Sequence, residues 1–225
     1  MQKTKGICLN FVRFKESSVI VQIFTEQFGR QSYIVNGVRS KNFKTNKIAL
    51  YQPLTQLDLV VWHKENRDIQ RVTEAKLLYN YQNLPINPRK TIVAIFITEI
   101  LAKILKAQEE EVALFNFISS ALQSFDQLLS SYENFHLQFL LKLPNFFGFG
   151  LNNAGQLLEN QNNLKFSDTQ IDLFINQLVN SPFQNAIKLT NSHRREILQL
   201  IIRFYQYHFD NFGELQSWEV LKSIQ

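Results

Sequence analysis

Leu57-Asp58-Leu59-Val60-Val61-Trp62, followed after a short break by Ile69-Gln70-Arg71-Val72-Thr73-Glu74, is the stretch on which the fold turns. In the first run Leu57, Leu59 and Val61 alternate with Asp58, Val60 and Trp62. In the second, Ile69, Arg71 and Thr73 alternate with Gln70, Val72 and Glu74. A period of two sends successive side chains to opposite faces of a pleated strand, whereas a helical turn of 3.6 residues would scramble both sets. The break, His63 to Arg67, is polar and of turn length. Two strands follow, Pro53–Trp62 and Asp68–Leu78.

Toward the N-terminus, Gly6–Phe14, Ser17–Thr25 and Gln31–Val38 have the same texture, rich in Val, Ile, Leu, Thr and aromatics. They are separated at Lys15-Glu16, at Phe28-Gly29-Arg30 and by Gly37 to Lys47. Gly29 falls where a tight turn needs a permissive backbone. Five strands of this length fit a small closed barrel. The OB type is one solution, and an SH3-like barrel satisfies the pattern almost as well.

Beyond Tyr81 the period changes. Asn87-Pro88 reads as an N-cap with proline at the first helical position. Ile92, Phe96, Ile100 and Ile104, flanked by Val93, Ile97, Leu101 and Leu105, form an apolar stripe at helical spacing. A second helix is expected over Glu109–Leu129, its acidic start favoured by the helix dipole. A third is expected over Asn134–Phe147, interrupted at Pro144. Ser167 with Gln170 resembles a capping box, and a long helix carries Ile197, Leu198, Ile201, Phe204 and Tyr205. Ser217 opens a short last one, and Asn152–Asn163 reads as a loop. The expected class is α+β: a five-stranded OB-type β-barrel over 1–80, then an all-α helical bundle over 81–225.

With 225 residues, 45% hydrophobic and 19% charged, the chain has globular proportions and enough length for a sizeable core. No apolar run approaches the roughly 18–20 residues that cross a bilayer. The apolar stretch Ile7-Cys8-Leu9 is too short for a signal peptide's core. A single cysteine, Cys8, excludes an internal disulfide and a thiolate-rich metal site. A soluble cytoplasmic protein is the simplest expectation.

Charge is unevenly placed. Residues 1–80 hold 13 Lys/Arg against 6 Asp/Glu, a balance of +7, and residues 81–225 hold 11 against 13, a balance of −2. A local basic excess favours a polyanionic partner.

Local motifs for catalysis are missing. Gly148-Phe149-Gly150 lacks the glycine and lysine of a phosphate loop. His63, His136, His193 and His208 are far apart, with no partner at metal-ligand spacing. Cys8 lies in an apolar strand without a basic activator, and Glu109-Glu110-Glu111 reads as a solvated helix start. The expectation is a non-enzymatic protein without cofactor.

The most informative functional stretch is Gly29 to Lys47. It ends a strand carrying Arg30 and Tyr33, then opens a loop with Arg39, Lys41, Lys44 and Lys47, and with Phe43 among them. No acidic residue interrupts these cations. Cations that neutralise phosphates, beside aromatics on which bases stack, are what single-strand binding requires. Nothing here offers a base-edge code, so weak sequence dependence is expected.

The order Lys5-Gly6-Ile7, Glu16-Ser17-Ser18, Phe24-Thr25-Glu26 leading to Gly29-Arg30, Gly37-Val38-Arg39-Ser40-Lys41, and Leu50 to Pro53-Leu54 resembles the N-terminal barrel of the RecO family, bacterial recombination mediators. Weaker similarity runs through Arg71 to Glu74-Ala75, Phe96 to Leu101 and Leu114-Phe115. Phe139-Leu140-Leu141-Lys142-Leu143 followed by Phe147-Gly148-Phe149 is similar to the family's later helical signature.

The resemblance implies binding to single- and double-stranded DNA, annealing of complementary strands, and capture of the acidic, hydrophobic C-terminal tail of single-strand-binding protein. It also implies loading of RecA together with RecR, in the cytoplasm and at the nucleoid during repair. It places DNA contacts at Arg30, Tyr33, Arg39, Lys41, Lys44 and Lys47, to which base stacking, as above, adds Phe43. The protein-tail pocket would fall around Leu137, Leu141 and Lys142, with His136, Arg194 or Arg195 standing in for a missing basic residue. Many relatives carry four zinc-binding cysteines after the glycine-aromatic-glycine signature. The matching stretch Leu151–Phe166 has none, so no structural metal is expected. An RNA-binding barrel and a non-catalytic interaction scaffold remain the alternatives.

Overall fold

The computed structural model describes residues 1–38, 48–65, 67–106, 110–158 and 169–222. Five strands, β1 (Gln2–Phe14), β2 (Ser18–Thr25), β3 (Gly29–Val35), β4 (Gln56–Trp62) and β5 (Ile69–Leu77), close into a barrel in the order β1-β2-β3-β5-β4. The 13-residue β1 makes closure possible. Its first half pairs with β4 and its second with β2, and a bulge between Cys8 and Asn10 bends it between the two. The seam closes where β3 runs parallel to β5, with Tyr33 opposite Gln70 and Ile34 opposite Arg71. This connectivity is that of the OB type and resolves the choice against an SH3-like barrel.

The alternation read from β4 and β5 is present. Leu57, Leu59 and Val61 are fully buried, while Asp58 and Trp62 are exposed. In β5 the buried pair is Gln70 and Val72, so apolar Ile69 faces outward and polar Gln70 inward. Burying an amide is tolerable only if it is hydrogen-bonded. The Gln70 side chain donates to the carbonyls of Lys64 (2.7 Å) and Arg67 (2.9 Å) and accepts from the Lys64 amide (2.9 Å).

Gly29 turns β2 into β3 at φ 57°, the left-handed conformation expected of it. Gly6 is needed for a different reason. A Cβ there would lie 2.6 Å from Ile23 Cγ2 and 2.7 Å from Leu59 Cδ1, inside the barrel. Gly6→Ala is expected to lower stability by about 1–3 kcal/mol through overpacking, read as a lower urea midpoint at unchanged slope.

Seven helices follow among the described residues: α1 (Pro88–Ile104), α2 (Val112–Gln127), α3 (Phe135–Lys142), α4 (Ala154–Leu158), α5 (Thr169–Asn180), α6 (Asn191–His208) and α7 (Trp218–Lys222). The chain divides into two compact units, Met1–Tyr81 with Ile97–Leu122, and Gln82–Phe96 with Gln123–Gln225. The first therefore takes in more than the barrel stretch 1–80. Within it Phe24 packs on Phe115 at 5.9 Å between ring centroids, and the buried Gln56 side chain donates to the Ser119 carbonyl (3.1 Å) and the Tyr81 hydroxyl (2.9 Å).

In the second unit α1 starts as its capping residues require. Asn87 Oδ1 accepts from the amides of Arg89 (3.0 Å) and Lys90 (3.3 Å). Glu110 and Glu111 precede α2 rather than opening it, and Glu109 lies outside the described residues. The third helix stops at Lys142 and continues as a 3-10 turn, Leu143–Phe147, around Pro144. The polar stretch expected to be a loop holds the short α4, whose Leu157 is buried. Ser167 of the expected capping box lies outside the described residues. The capping box that does form is Thr190 with His193, at the start of α6.

Two buried charges organise this unit. Asp126, at the end of α2, accepts from the amides of Gln82 (2.9 Å), Asn83 (2.8 Å) and Leu84 (2.7 Å). Lys90 is 1% exposed, and its ammonium donates to the carbonyls of Phe125 (2.7 Å), Asp126 (2.9 Å) and Leu128 (2.6 Å). The last carbonyls of a helix lack intrahelical donors, so this lysine caps α2 from another segment.

The segment after Gly148 is held by aromatics. Phe149 packs against Phe204 (5.8 Å), His208 (4.5 Å) and Phe209 (5.5 Å), and Phe147 against Phe209 (5.1 Å). Leu151 and Ala154, a few residues on, are buried as well.

Candidate nucleic-acid interface

Arg39, Lys41, Phe43, Lys44 and Lys47 lie outside the described residues. The residues flanking them belong to the barrel. Val38 on one side and Tyr51 on the other are buried in its core, with Ile48 and Leu50 packed against it. The Val38 amide donates to the Ser17 carbonyl at 3.0 Å, and Gly37 turns the chain at φ 69°.

Arg30 is held by a helix end within the same unit. Its backbone amide donates to the Lys106 carbonyl (3.1 Å) and its guanidinium to the Ala102 carbonyl (2.8 Å), where a cation suits the dipole of α1. Tyr33 corrects the expectation made for it. The ring is fully buried among Cys8, Val21, Leu59 and Val72, and burial pushes its hydroxyl pKa upward. A side chain with no exposed face offers no platform to a base.

The residues expected to line a protein-tail pocket are also inward. Every residue from Phe135 to Leu141 is buried, so α3 has no solvent-facing stripe on which Leu137 and Leu141 could form a floor. Lys142 donates its ammonium to the Val179 carbonyl (2.7 Å) near the end of α5, with the Phe183 ring 5.8 Å away. Gln138, one turn earlier, reaches the Pro182 carbonyl at 3.2 Å. The chain leaving α5 thus covers this edge of α3, and the pocket assignment to Leu137 and Leu141 does not hold in this conformation.

His136 does not supply the missing cation. Burial, with the Arg194 charge adding to it, lowers its pKa from 6.5 to about 3, so the ring is neutral at physiological pH. Arg194 itself donates to the Leu189 carbonyl at 2.9 Å. A basic group with a depressed folded pKa binds fewer protons than the unfolded chain below the ordinary histidine range. Stability from this site is therefore complete above pH 6.5 and falls by about 1.4 kcal/mol per pH unit as acid approaches pH 3. Thermal midpoints measured from pH 7 to pH 4 should decline less steeply in His136→Gln than in the wild type.

The remaining candidates are structural. His63 stacks on Phe28 at 4.2 Å, His193 caps α6 and His208 joins the Phe149 cluster. Cys8 is fully buried and its thiol pKa is pushed far up, which removes it as a nucleophile. Among the described residues no three His, Cys, Asp or Glu side chains gather as a metal site would require. No helix among them is long and apolar enough to cross a membrane. What the sequence reading passed over is the outer face of β4 and β5, where Trp62, Arg67, Ile69 and Arg71 line one cavity. The signal was present, because burying Leu57, Leu59 and Val61 sends Trp62 outward.

Residues 1–81 match the family described as "Recombination protein O N terminal", and residues 87–165 the one described as "Recombination protein O C terminal". A "DNA repair protein RecO" from Flavobacterium psychrophilum is 31% identical over 235 residues, covering 99% of this chain and 98% of that protein. The chain belongs to the RecO family. Similarity of the same extent links it to two other RecO proteins of that name. One, from Azobacteroides pseudotrichonymphae, is 29% identical over 239 residues, covering 100% of this chain and 99% of the relative. The other, from Bacteroides fragilis, is 28% identical over 241 residues, with the same two coverages. The RecO family's two parts thus coincide with an OB-type barrel and the helices that follow it.

Proposed function

We propose that this chain is a recombination mediator of DNA repair. It binds single- and double-stranded DNA through the barrel module 1–80 and anneals complementary strands. It engages single-strand-binding protein through the helical module 81–225, and with RecR it promotes loading of RecA. The protein works in the cytoplasm, at the nucleoid during repair, and makes or breaks no bond. The observation that carries this reading is the end-to-end match to RecO proteins, which spans 100% of this chain and 99% of a relative. The physical support is the run Arg39, Lys41, Lys44, Lys47, which has no acid within it and whose flanks are rooted in the barrel core. Screening phosphate repulsion between two strands accelerates their meeting, and docking on the coat protein raises the local concentration.

The test is strand annealing with complementary oligomers precoated with single-strand-binding protein. Annealing faster than with the coat alone is expected. Folded, soluble protein that leaves the rate unchanged on coated and naked strands would refute the reading.

A further inference from the structure

We propose that the outer face of the barrel at Trp62 is a stacking site for an unpaired base of single-stranded DNA, with Arg67 and Arg71 holding the adjoining phosphates. This rests on the DNA-binding reading above and gives it a contact that neither the basic loop nor the family match assigns.

The outward positions of a small barrel strand meet water and are expected to be polar. Here Trp62 is 47% exposed and Ile69 44% exposed on the same face. The strand register makes them neighbours. Trp62 pairs with Arg71 across β4 and β5, and Arg71 pairs with Ile34 across β5 and β3. Ile69 and Thr73 stand two residues either side of Arg71. These side chains, with Arg67, surround a cavity of about 360 Å³. Its walls carry two guanidiniums and no carboxylate, although Glu65 and Asp68 belong to the same turn.

The site is also held in shape. Buried Gln70 pins the β4–β5 turn through the Lys64 and Arg67 carbonyls, at 2.7 and 2.9 Å. The Lys64 ammonium lies 5.9 Å from the centroid of the Trp62 ring, within cation–π range. A large exposed π-face flanked by cations is the arrangement that binds bases without regard to sequence. The exposed indole selects the occupant. Within a duplex the base faces are already stacked on one another and only the two terminal pairs expose one, so an unpaired base is the occupant that Trp62 favours.

The chain has two tryptophans, so Trp218→Phe leaves Trp62 as the sole reporter. This protein is titrated with a labelled oligothymidylate, with an abasic phosphodiester oligomer of equal length, and with a blunt duplex. Indole fluorescence and label anisotropy are read together. Oligothymidylate should quench the indole as anisotropy rises, while the abasic strand and the duplex bind without comparable quenching. Trp62→Ala should weaken oligothymidylate binding by about tenfold and leave the abasic strand unaffected. Arg67→Glu with Arg71→Glu should weaken both. Binding by anisotropy with no quenching, or unchanged in Trp62→Ala, overturns the stacking site and leaves the DNA-binding reading intact. Quenching by the duplex as strong as by the single strand overturns the choice of an unpaired base. Absence of binding to any of the three refutes the DNA-binding reading and this site with it.

Discussion

Replacing Lys90 by methionine is expected to cost about 3 kcal/mol or more of stability. The ammonium contacts three carbonyls at the end of α2, all within 2.9 Å, and is almost completely buried. Methionine fills a similar volume but donates nothing, so the carbonyls of Phe125 and Leu128 lose their charged donor, while the Asp126 carbonyl keeps the Asn83 side-chain amide at 3.0 Å. Each buried acceptor left unsatisfied costs about 1–3 kcal/mol. The neighbouring carboxylate then loses its counter-charge. Burial opposes ionisation of Asp126, but three backbone amides and Lys90 outweigh it and hold its pKa below the ordinary carboxylate value. A carboxyl with a depressed folded pKa contributes stability above its unfolded pKa and loses it as pH falls through the folded one. Lys90→Met should weaken that depression, moving the acid transition to higher pH. Urea unfolding followed by circular dichroism, at pH 7 and again toward pH 4, measures both effects. A loss under about 1 kcal/mol at pH 7 would mean that water or a shifted backbone replaces the ammonium.

Lys90 also shows where the sequence stops being legible. Lysine is among the residues least often buried, and its partners here are main-chain carbonyls of a distant segment. Main-chain groups carry no residue identity, so nothing at positions 125–128 announces them. The barrel was legible for the opposite reason. A period of two is written directly in residue types, and Leu57, Leu59 and Val61 could face only the core. Alternation carries less information where neither alternating set is apolar. In β3, Arg30, Ser32 and Ile34 alternate with Gln31, Tyr33 and Val35, and both sets mix polar with apolar residues. Tyr33 stands just ahead of a basic run, which suits a stacking role, yet the closed barrel needs its ring inside. Leu137 and Leu141 failed differently. Their place came from the resemblance alone, and α3 is buried on all its faces, including polar His136 and Gln138. The choice between OB-type and SH3-like barrels depends on which strands are neighbours. That is a matter of long-range pairing, here β3 with β5, and not of local pattern.

Reversing Arg39, Lys41 and Lys44 together to glutamate is expected to weaken single-strand binding at 0.1 M salt by about a hundredfold or more. The effect is electrostatic. Each phosphate neutralised by a cation releases condensed counterions, and on single strands this contributes about 0.7 to the slope of log affinity against log salt. Three lost contacts therefore flatten the slope by about 2, which amounts to about a hundredfold between 1 M and 0.1 M salt. Glutamate adds repulsion, so the triple glutamine variant sets the lower limit and glutamate must exceed it. Stability should hardly change, because the core residues that root this stretch, Val38 and Tyr51, are untouched. Affinity measured by anisotropy at four salt concentrations gives both slope and intercept. If binding weakened equally at all salt concentrations, the cations would be supporting the barrel rather than meeting phosphates. If neither slope nor affinity moved, the charge excess of the first eighty residues would have to act elsewhere. The Arg67 and Arg71 face would then carry the strand alone.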